Sequence, residues 1–203
     1  MALTERERQT QERYDVSADE WLEHSGGRDR PSFWAGEMKE FALQLGEGRK
    51  VLEIGCGPAT DGKYLIQKGL ECVSTDFAYG MLTLARELNT NNTLLQMDMQ
   101  NLAFPDNSFN GFWATACLLH LEDPDKTLKE LVRVTNKGGI GFITIKEGDR
   151  EVVDPRTGYF FRYYHHPKFI RKLGRVGLET IRSGRRAGTP GHDYLTYLVS
   201  VNK

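Results

Sequence analysis

Gly55 and Gly57 stand in Val51-Leu52-Glu53-Ile54-Gly55-Cys56-Gly57-Pro58-Ala59-Thr60-Asp61-Gly62, between a short apolar run and a helical pattern. Glycines at a strand-to-helix turn take up left-handed backbone and, lacking Cβ, let a ligand approach the main chain at the carboxyl end of a strand. A purely structural turn is the alternative. Glu53, two residues before Gly55, puts a carboxylate where it would favour a ligand's ammonium group and repel a diphosphate. A dinucleotide fingerprint wants a third glycine where this chain has Thr60, so NAD fits poorly.

About twenty residues on, a second strand ends at Asp76, a spacing that suits acceptance from both ribose hydroxyls. The alternative is an acid placed to favour the N-terminus of the following helix. Phe77 and Met81 offer apolar surface to an adenine. Asp98, after the third strand, is placed to accept from the adenine amino group, and the Met99 N–H to meet a ring nitrogen, while the Met99 side chain reads as core. A nucleoside carrying a sulfonium and an α-amino group, as S-adenosylmethionine does, suits this set.

Positioning these groups requires alternating strands and helices, and the chain supplies them from Lys50 onward. Strands are expected near Val51–Ile54, Cys72–Thr75, Thr93–Met97, Gly111–Ala116 and Ile140–Ile145, with helices near Thr60–Lys68, Tyr79–Leu88 and Pro124–Thr135. A further helix, Pro167–Val176, precedes strands at Leu178–Ser183 and Tyr194–Val201, joined by a turn at Gly188-Thr189-Pro190-Gly191, which makes the last strand antiparallel. Residues 1–49 hold no strand candidate but carry Tyr14, Trp21, Phe33 and Trp34 among charges. One or two helices lying over the sheet as a lid would bury those rings.

At 203 residues the chain fits one domain, and 39% hydrophobic with 27% charged residues describes a globular protein. The charged N-terminus and the lack of any apolar run near 18 residues point to a soluble cytoplasmic protein, monomer or homodimer. Cys56, Cys72 and Cys117 are far apart in apolar segments and read as buried free thiols, with no metal site. The net charge of -1 hides a basic C-terminal segment, in which residues 151–203 hold 10 Lys+Arg against 4 Asp+Glu. Lys168, Arg171, Lys172 and Arg175 fall on one side of a helix, and Arg182, Arg185 and Arg186 follow. A solvated face is one reading, and RNA or a phosphorylated small molecule the other.

The segments VLEIGCGPATDG, CVSTDFAYGML, MDMQNLAFPDNSF and LLHLEDPDKTLKELVRVTNKGG, in this order and spacing, resemble the class I S-adenosylmethionine-dependent methyltransferases, small-molecule or generic branch, over roughly residues 48 to 183. The resemblance implies a Rossmann-like α/β sandwich with a seven-stranded, mostly parallel sheet in the order 3-2-1-4-5-7-6, strand 7 antiparallel. It implies that Glu53, Gly55, Cys56 and Gly57 surround the methionine moiety, with Asp76 on the ribose and Asp98 and Met99 on adenine. Tyr14, in Arg13-Tyr14-Asp15, is similar to an N-terminal tyrosine that reaches the cofactor in this family. Ala59 departs from the third loop glycine, and Asn110 from the aspartate usual after Ser-Phe. The implied layout is a single domain with a helical lid over 1–49, a cofactor core over 50–150 and an acceptor side over 151–203.

Methyl transfer from a sulfonium is an in-line displacement in which positioning supplies much of the catalysis. Thr115 to His120 should floor the crevice beside the methyl group, and His120 is the candidate base, or else a structural residue of that loop. The acceptor pocket is expected from Tyr159, Arg162, Tyr163 and Tyr164, aromatic walls with one cation. The alternative for that stretch is a strand or turn packed on the sheet. Three functions follow: methylation of O, N or S on a small molecule, releasing S-adenosylhomocysteine; tRNA methylation through the basic segment; or cofactor binding without turnover.

Overall fold

The computed structural model describes residues 3–24, 33–88, 91–188 and 193–203. Three helices precede the first strand: α1 (Glu5–Val16), α2 (Ala18–His24) and α3 (Ala35–Leu45), where one or two were expected. A capping box starts α1, the Thr4 hydroxyl accepting from the Glu7 N–H while the Glu7 carboxylate accepts from the Thr4 N–H.

Strands and helices then alternate as β1 (Lys50–Ile54), α4 (Thr60–Gln67), β2 (Glu71–Asp76), α5 (Tyr79–Glu87), β3 (Thr93–Gln96), β4 (Phe109–Ala114), α6 (Asp125–Val134) and β5 (Thr135–Glu147). The five strands pair in parallel in the order β3-β2-β1-β4-β5. The remainder is β6 (Glu151–Val153), β7 (Phe160–Tyr164), α7 (His166–Arg175), β8 (Leu178–Ala187) and β9 (Asp193–Val201). β9 runs antiparallel to both β5 and β8. With β8 and β9 as sixth and seventh strands, the sheet has the order implied by the resemblance. The turn expected at 188–191 lies, apart from Gly188, outside the described residues, but Ala187 pairs with Asp193 across it.

Two strands lie outside the implied seven: β6 was not expected, whereas β7 takes the strand alternative for the 159–164 stretch. β6 and β7 form an antiparallel hairpin, bringing the sheet to nine strands. β7 pairs in parallel with Lys146 and Glu147 of β5. Because β9 already holds Lys146 through Tyr194, β7 must use the edge of β5 that β4 leaves free beyond the Ala114–Ile143 pair. The hairpin thus extends the sheet beyond β4, at the end where parallel strands present their carboxyl termini.

Side chains alternate between two cores as the strand period of two requires. Leu52, Phe112 and Ile143 face α6 and α7, packing with Leu128, Leu131, Phe169 and Leu173. Val51, Trp113 and Phe142 face the other way, against Met38 and Phe41 of α3 and Leu65 of α4. Burying each such side chain contributes about 1.5–3 kcal/mol, which fixes the strand ends that carry the site. All three cysteines are buried and free.

The basic segment is largely neutralised within the fold. Lys168 pairs with Asp149, Lys172 with Asp123 and Asp125, Arg182 with Glu40, Arg185 with Glu147 and Arg186 with Glu37. Only Arg171 and Arg175 of the expected cations stand outside these pairs, both at exposed positions. A continuous positive face for RNA is therefore absent from the described residues. Among them, no helix is long and apolar enough to cross a membrane.

Candidate active site

A cavity of about 600 Å³ lies over the carboxyl ends of β1, β2 and β4. Glu53, Gly55, Cys56 and Gly57 line it from the first strand and its loop, Asp76, Phe77 and Met81 from the second strand and α5. Asp98 and Met99 line it from the segment after β3, and Thr115 and His120 from the segment after β4. Tyr14 closes it from α1 and Tyr159 from the approach to β7. The sequence had named all of these residues, Tyr14 and Cys56 through the family resemblance.

Gly55 (φ 58°) and Gly57 (φ 52°) adopt left-handed backbone, which glycine takes without steric cost. Ala59 does the same at φ 53°, at a cost of roughly 1 kcal/mol. A Cβ on Gly57 would meet only the Met81 sulfur, 4.0 Å away, so the loop presents bare backbone to open space, as a cradle for a ligand requires. Asp76 holds that shape. Its Oδ2 accepts from the Gly57 N–H (2.8 Å) and its Oδ1 from the Ala78 N–H (2.8 Å). Asp76 lines the cavity and also organises the start of α5, the second of the two expectations for it. Burial pushes its carboxyl up to about 6.

Glu53, expected to favour a ligand's ammonium group directly or through water, lines the cavity from behind the loop. It is 2% exposed, and its oxygens accept from the Gly62 N–H (3.2 Å) and from the Ser74 hydroxyl. It ties β1 to β2 and α4 behind the loop. Asp61, which the sequence reading did not single out, lines the cavity beside it and accepts from Trp113 Nε1 (2.9 Å) and the Thr115 hydroxyl (3.0 Å). An acid in the first turn of α4, four residues past Gly57, was the signal available. Three carboxyls thus share this end of the cavity. That donor-poor, acidic wall fits the sulfonium and amino group of S-adenosylmethionine.

Burial, reinforced by the charges of Asp61 and Asp76, pushes the Glu53 carboxyl up to about 8. A carboxyl raised on folding stabilises the protein at low pH, and that contribution is lost as pH rises through the folded value. Asp76 has finished titrating above about 6. His120, lowered to about 4, and Lys146, lowered to about 8, act the other way, because the unfolded chain holds their protons more tightly, and they offset part of that loss between pH 6.5 and 8. Glu53 outweighs them, at up to about 1.4 kcal/mol per pH unit. The unfolding free energy of the ligand-free chain should fall by on the order of 1 kcal/mol from pH 6.5 to 8, and Glu53→Gln should abolish that fall. Urea titrations at four pH values check this, and a level wild-type curve would contradict it.

His120 belongs to a short 3-10 helix, Leu118–His120. Its Nδ1 lies 2.7 Å from the Phe160 carbonyl, which can only accept, so Nδ1 carries the proton. Nε2 is then the acceptor for the Tyr14 hydroxyl, 3.0 Å away. Burial, with help from the charge of Lys146, pushes the imidazole down to about 4. A ring that is neutral, weakly basic and already accepting from Tyr14 is poorly placed as a general base. Tyr14 in turn stacks on Tyr159 at 4.1 Å, and Tyr159 meets the Ser17 hydroxyl at 2.8 Å.

Three expected acceptor residues are not brought to the cavity. The stretch is a strand, so only alternate side chains face inward. Tyr159 and Phe161 line the cavity, and Phe161 was missed. Arg162 points the other way, pairing with Glu151 and donating to the Glu122 carbonyl at 2.6 Å. Tyr164 packs on Phe169 in the core. Tyr163 shares the face of Phe161 but lies further along, under Arg150. Lys146 of β5 lines the cavity instead.

The roof is held by polar contacts. The two side chains that α1 buries are Glu7 and Thr10. Glu7 accepts from the Glu122 N–H at 2.9 Å, and the Thr10 hydroxyl from the Phe160 N–H at 2.9 Å. At its other end Asp15 accepts from the Gly80 N–H at 3.0 Å.

Comparison with known proteins agrees with this geometry. The family described as "Methyltransferase domain" matches residues 52–143. A demethylmenaquinone methyltransferase of Corynebacterium efficiens is 33% identical over 152 residues, 75% of this chain and 62% of that protein. Another of that name from Paenarthrobacter aurescens is 33% identical over 98 residues, 48% of this chain and 39% of that protein. The chain thus spans less than two thirds of the length of these curated relatives. Among solved structures, the 1,6-didemethyltoxoflavin-N1-methyltransferase of Burkholderia thailandensis, with S-adenosylhomocysteine bound, superposes with a TM-score of 0.76 at 18% identity, covering 100% of this chain and 93% of that one. The [4+2]-cyclase SpnF gives 0.80 at 17% identity, covering 98% of each chain. At such identities these structures share the fold alone. Sheet order, domain match and curated relatives together make the chain similar to the class I S-adenosylmethionine-dependent methyltransferases, with the methyltransferase domain match over residues 52–143.

Proposed function

We propose that the chain transfers the methyl group of S-adenosylmethionine to a small-molecule acceptor and releases S-adenosylhomocysteine. One observation carries this reading: a single cavity joins an acid-walled glycine loop to an aromatic end under α1. The relatives named for demethylmenaquinone support a small organic acceptor. When bound, the cofactor supplies an electrophilic methyl group for in-line displacement.

The protein's own groups do the rest. Asp76 takes the ribose hydroxyls with the lone pairs its backbone bonds leave, and Phe77, Met81, Asp98 and the Met99 N–H hold the adenine. Asp61 faces the amino group, with Glu53 supporting the loop behind it. The acceptor sits against Tyr159, Phe161 and Tyr14, and α1 covers it from water, within a single domain divided into a lid segment before residue 50, a core over 50–150 and an acceptor side after it. His120 positions the Tyr14 hydroxyl. Transfer then relies on approach geometry rather than on a strong base.

Incubation with methyl-labelled S-adenosylmethionine, demethylmenaquinol and a panel of phenols, thiols and amines tests the proposal. Label should pass to an organic-extractable small molecule. Label in tRNA alone would favour the RNA reading, and cofactor binding with no transfer to any acceptor would favour a protein that binds without turnover.

A further inference from the structure

The cavity has opposite electrostatic ends. Glu53, Asp61 and Asp76 wall the loop end, whereas Lys146 is the one lysine or arginine among the described residues lining it. Lys146 is the penultimate residue of β5, held by Tyr163 on one side and Tyr194 on the other, and only 6% exposed. Its Nζ sits 3.3 Å from the centroid of the Phe161 ring and 5.7 Å from that of Tyr163. Phe161 lies 5.0 Å from His120, which places the ammonium at the aromatic, acceptor end.

An ammonium has three protons to donate, and among the described residues no hydrogen bond or ion pair engages this one. Asp154 attracts and Arg150 repels it from a distance, but the Asp154 carboxylate accepts from the Arg156 and Thr157 N–H groups. The nearby Tyr159 hydroxyl is taken by Ser17. Ring faces compensate a buried cation by about 2 kcal/mol, less than the several kcal/mol that desolvating it costs. A buried, unpartnered donor facing an open cavity is a recognition element awaiting an acceptor atom.

We propose that Lys146 anchors an anionic subsite, holding a carboxylate, phenolate or enolate oxygen of a planar acceptor against Phe161. This deepens the methyltransferase reading and rests on it. The subsite selects acceptors by charge, and it keeps a phenol or enol in its more nucleophilic, deprotonated form. In the absence of a partner, burial pushes the ammonium down to about 8, as an unpaired buried cation should be.

The test uses the whole chain saturated with S-adenosylhomocysteine, titrated by calorimetry with 1-naphthoate and its neutral isostere 1-naphthamide. Wild type should bind naphthoate at least about tenfold more tightly. Lys146→Met should erase that preference while keeping naphthamide and S-adenosylhomocysteine affinities, and Lys146→Arg should retain it. Equal binding of the two probes by wild type, no naphthoate binding, or a preference that survives in Lys146→Met would overturn the subsite. The wild-type comparison decides the matter even if Lys146→Met fails to fold. Failure of wild type to bind S-adenosylhomocysteine would instead overturn the methyltransferase reading beneath it.

Discussion

Asp76→Ala is expected to weaken S-adenosylhomocysteine binding about a hundredfold, close to 2.7 kcal/mol at 1.4 kcal/mol per tenfold. The Asp76 carboxylate already accepts from the backbone N–H groups of Gly57, Ala78 and Phe77 and keeps remaining acceptor capacity where it lines the cavity. Two charge-assisted bonds to ribose hydroxyls, at about 1.5–3 kcal/mol each, account for the loss without invoking the loop. Alanine also releases the Gly57 N–H, so the cradle slackens at the same time. Asp76→Asn separates the two effects. Its single carbonyl oxygen still accepts from one backbone group but cannot serve both hydroxyls, and a loss of about tenfold is expected. Calorimetry reads both variants, and an alanine variant that binds like wild type would remove the ribose assignment.

Gly80→Ala is expected to undock α1. A Cβ there would stand 2.1 Å from the Asp15 carbonyl oxygen and 2.8 Å from its carbon, and backbone cannot swing aside. The end of α1 must move, and with it Tyr14, one residue before Asp15, whose bond to His120 is only 3.0 Å long. Overpacking of this kind costs about 2 kcal/mol, which raises the undocked population about thirtyfold. Proteolysis of a transiently opened segment follows that population when reclosing is fast. Trypsin cleavage at Arg6, Arg8 and Arg13 should therefore accelerate by the same factor, and unchanged cleavage would show that α1 is not held through Gly80. Turnover should fall in parallel if α1 excludes water from the acceptor end.

How far the sequence revealed this arrangement differs between its parts. The strand-end residues Gly55, Asp76 and Asp98 were legible because each follows an apolar run whose direction a parallel sheet dictates. The polar roof was not. Hydrophobic periodicity finds helices that bury apolar stripes, whereas α1 buries Glu7 and Thr10 and docks by hydrogen bonds to Glu122 and Phe160 more than a hundred residues away. Its capping box, Thr4 to Glu7, was the local signal. Lys146 escaped notice because the apolar run of β5 was taken to end at Ile145, one residue short. For residues 159–164 the sequence leaves a pocket-lining connection and a packed strand equally open, so it does not separate Arg162, Tyr163 and Tyr164 by face. Once it is a strand, alternation sends Phe161 to the cavity and Tyr164 to the core. The basic segment stays open between a solvated face and a nucleic-acid face for a different reason, since Glu37 and Glu40, which neutralise Arg186 and Arg182, lie 149 and 142 residues earlier.

The central claim is that the acid-walled glycine loop is a site for S-adenosylmethionine and not for a dinucleotide. Calorimetric titration of the intact wild-type chain with S-adenosylhomocysteine, and separately with NADH, tests it directly. The expected result is one S-adenosylhomocysteine bound per chain with no NADH binding. Binding of NADH at comparable affinity, or no binding of S-adenosylhomocysteine, would contradict the account.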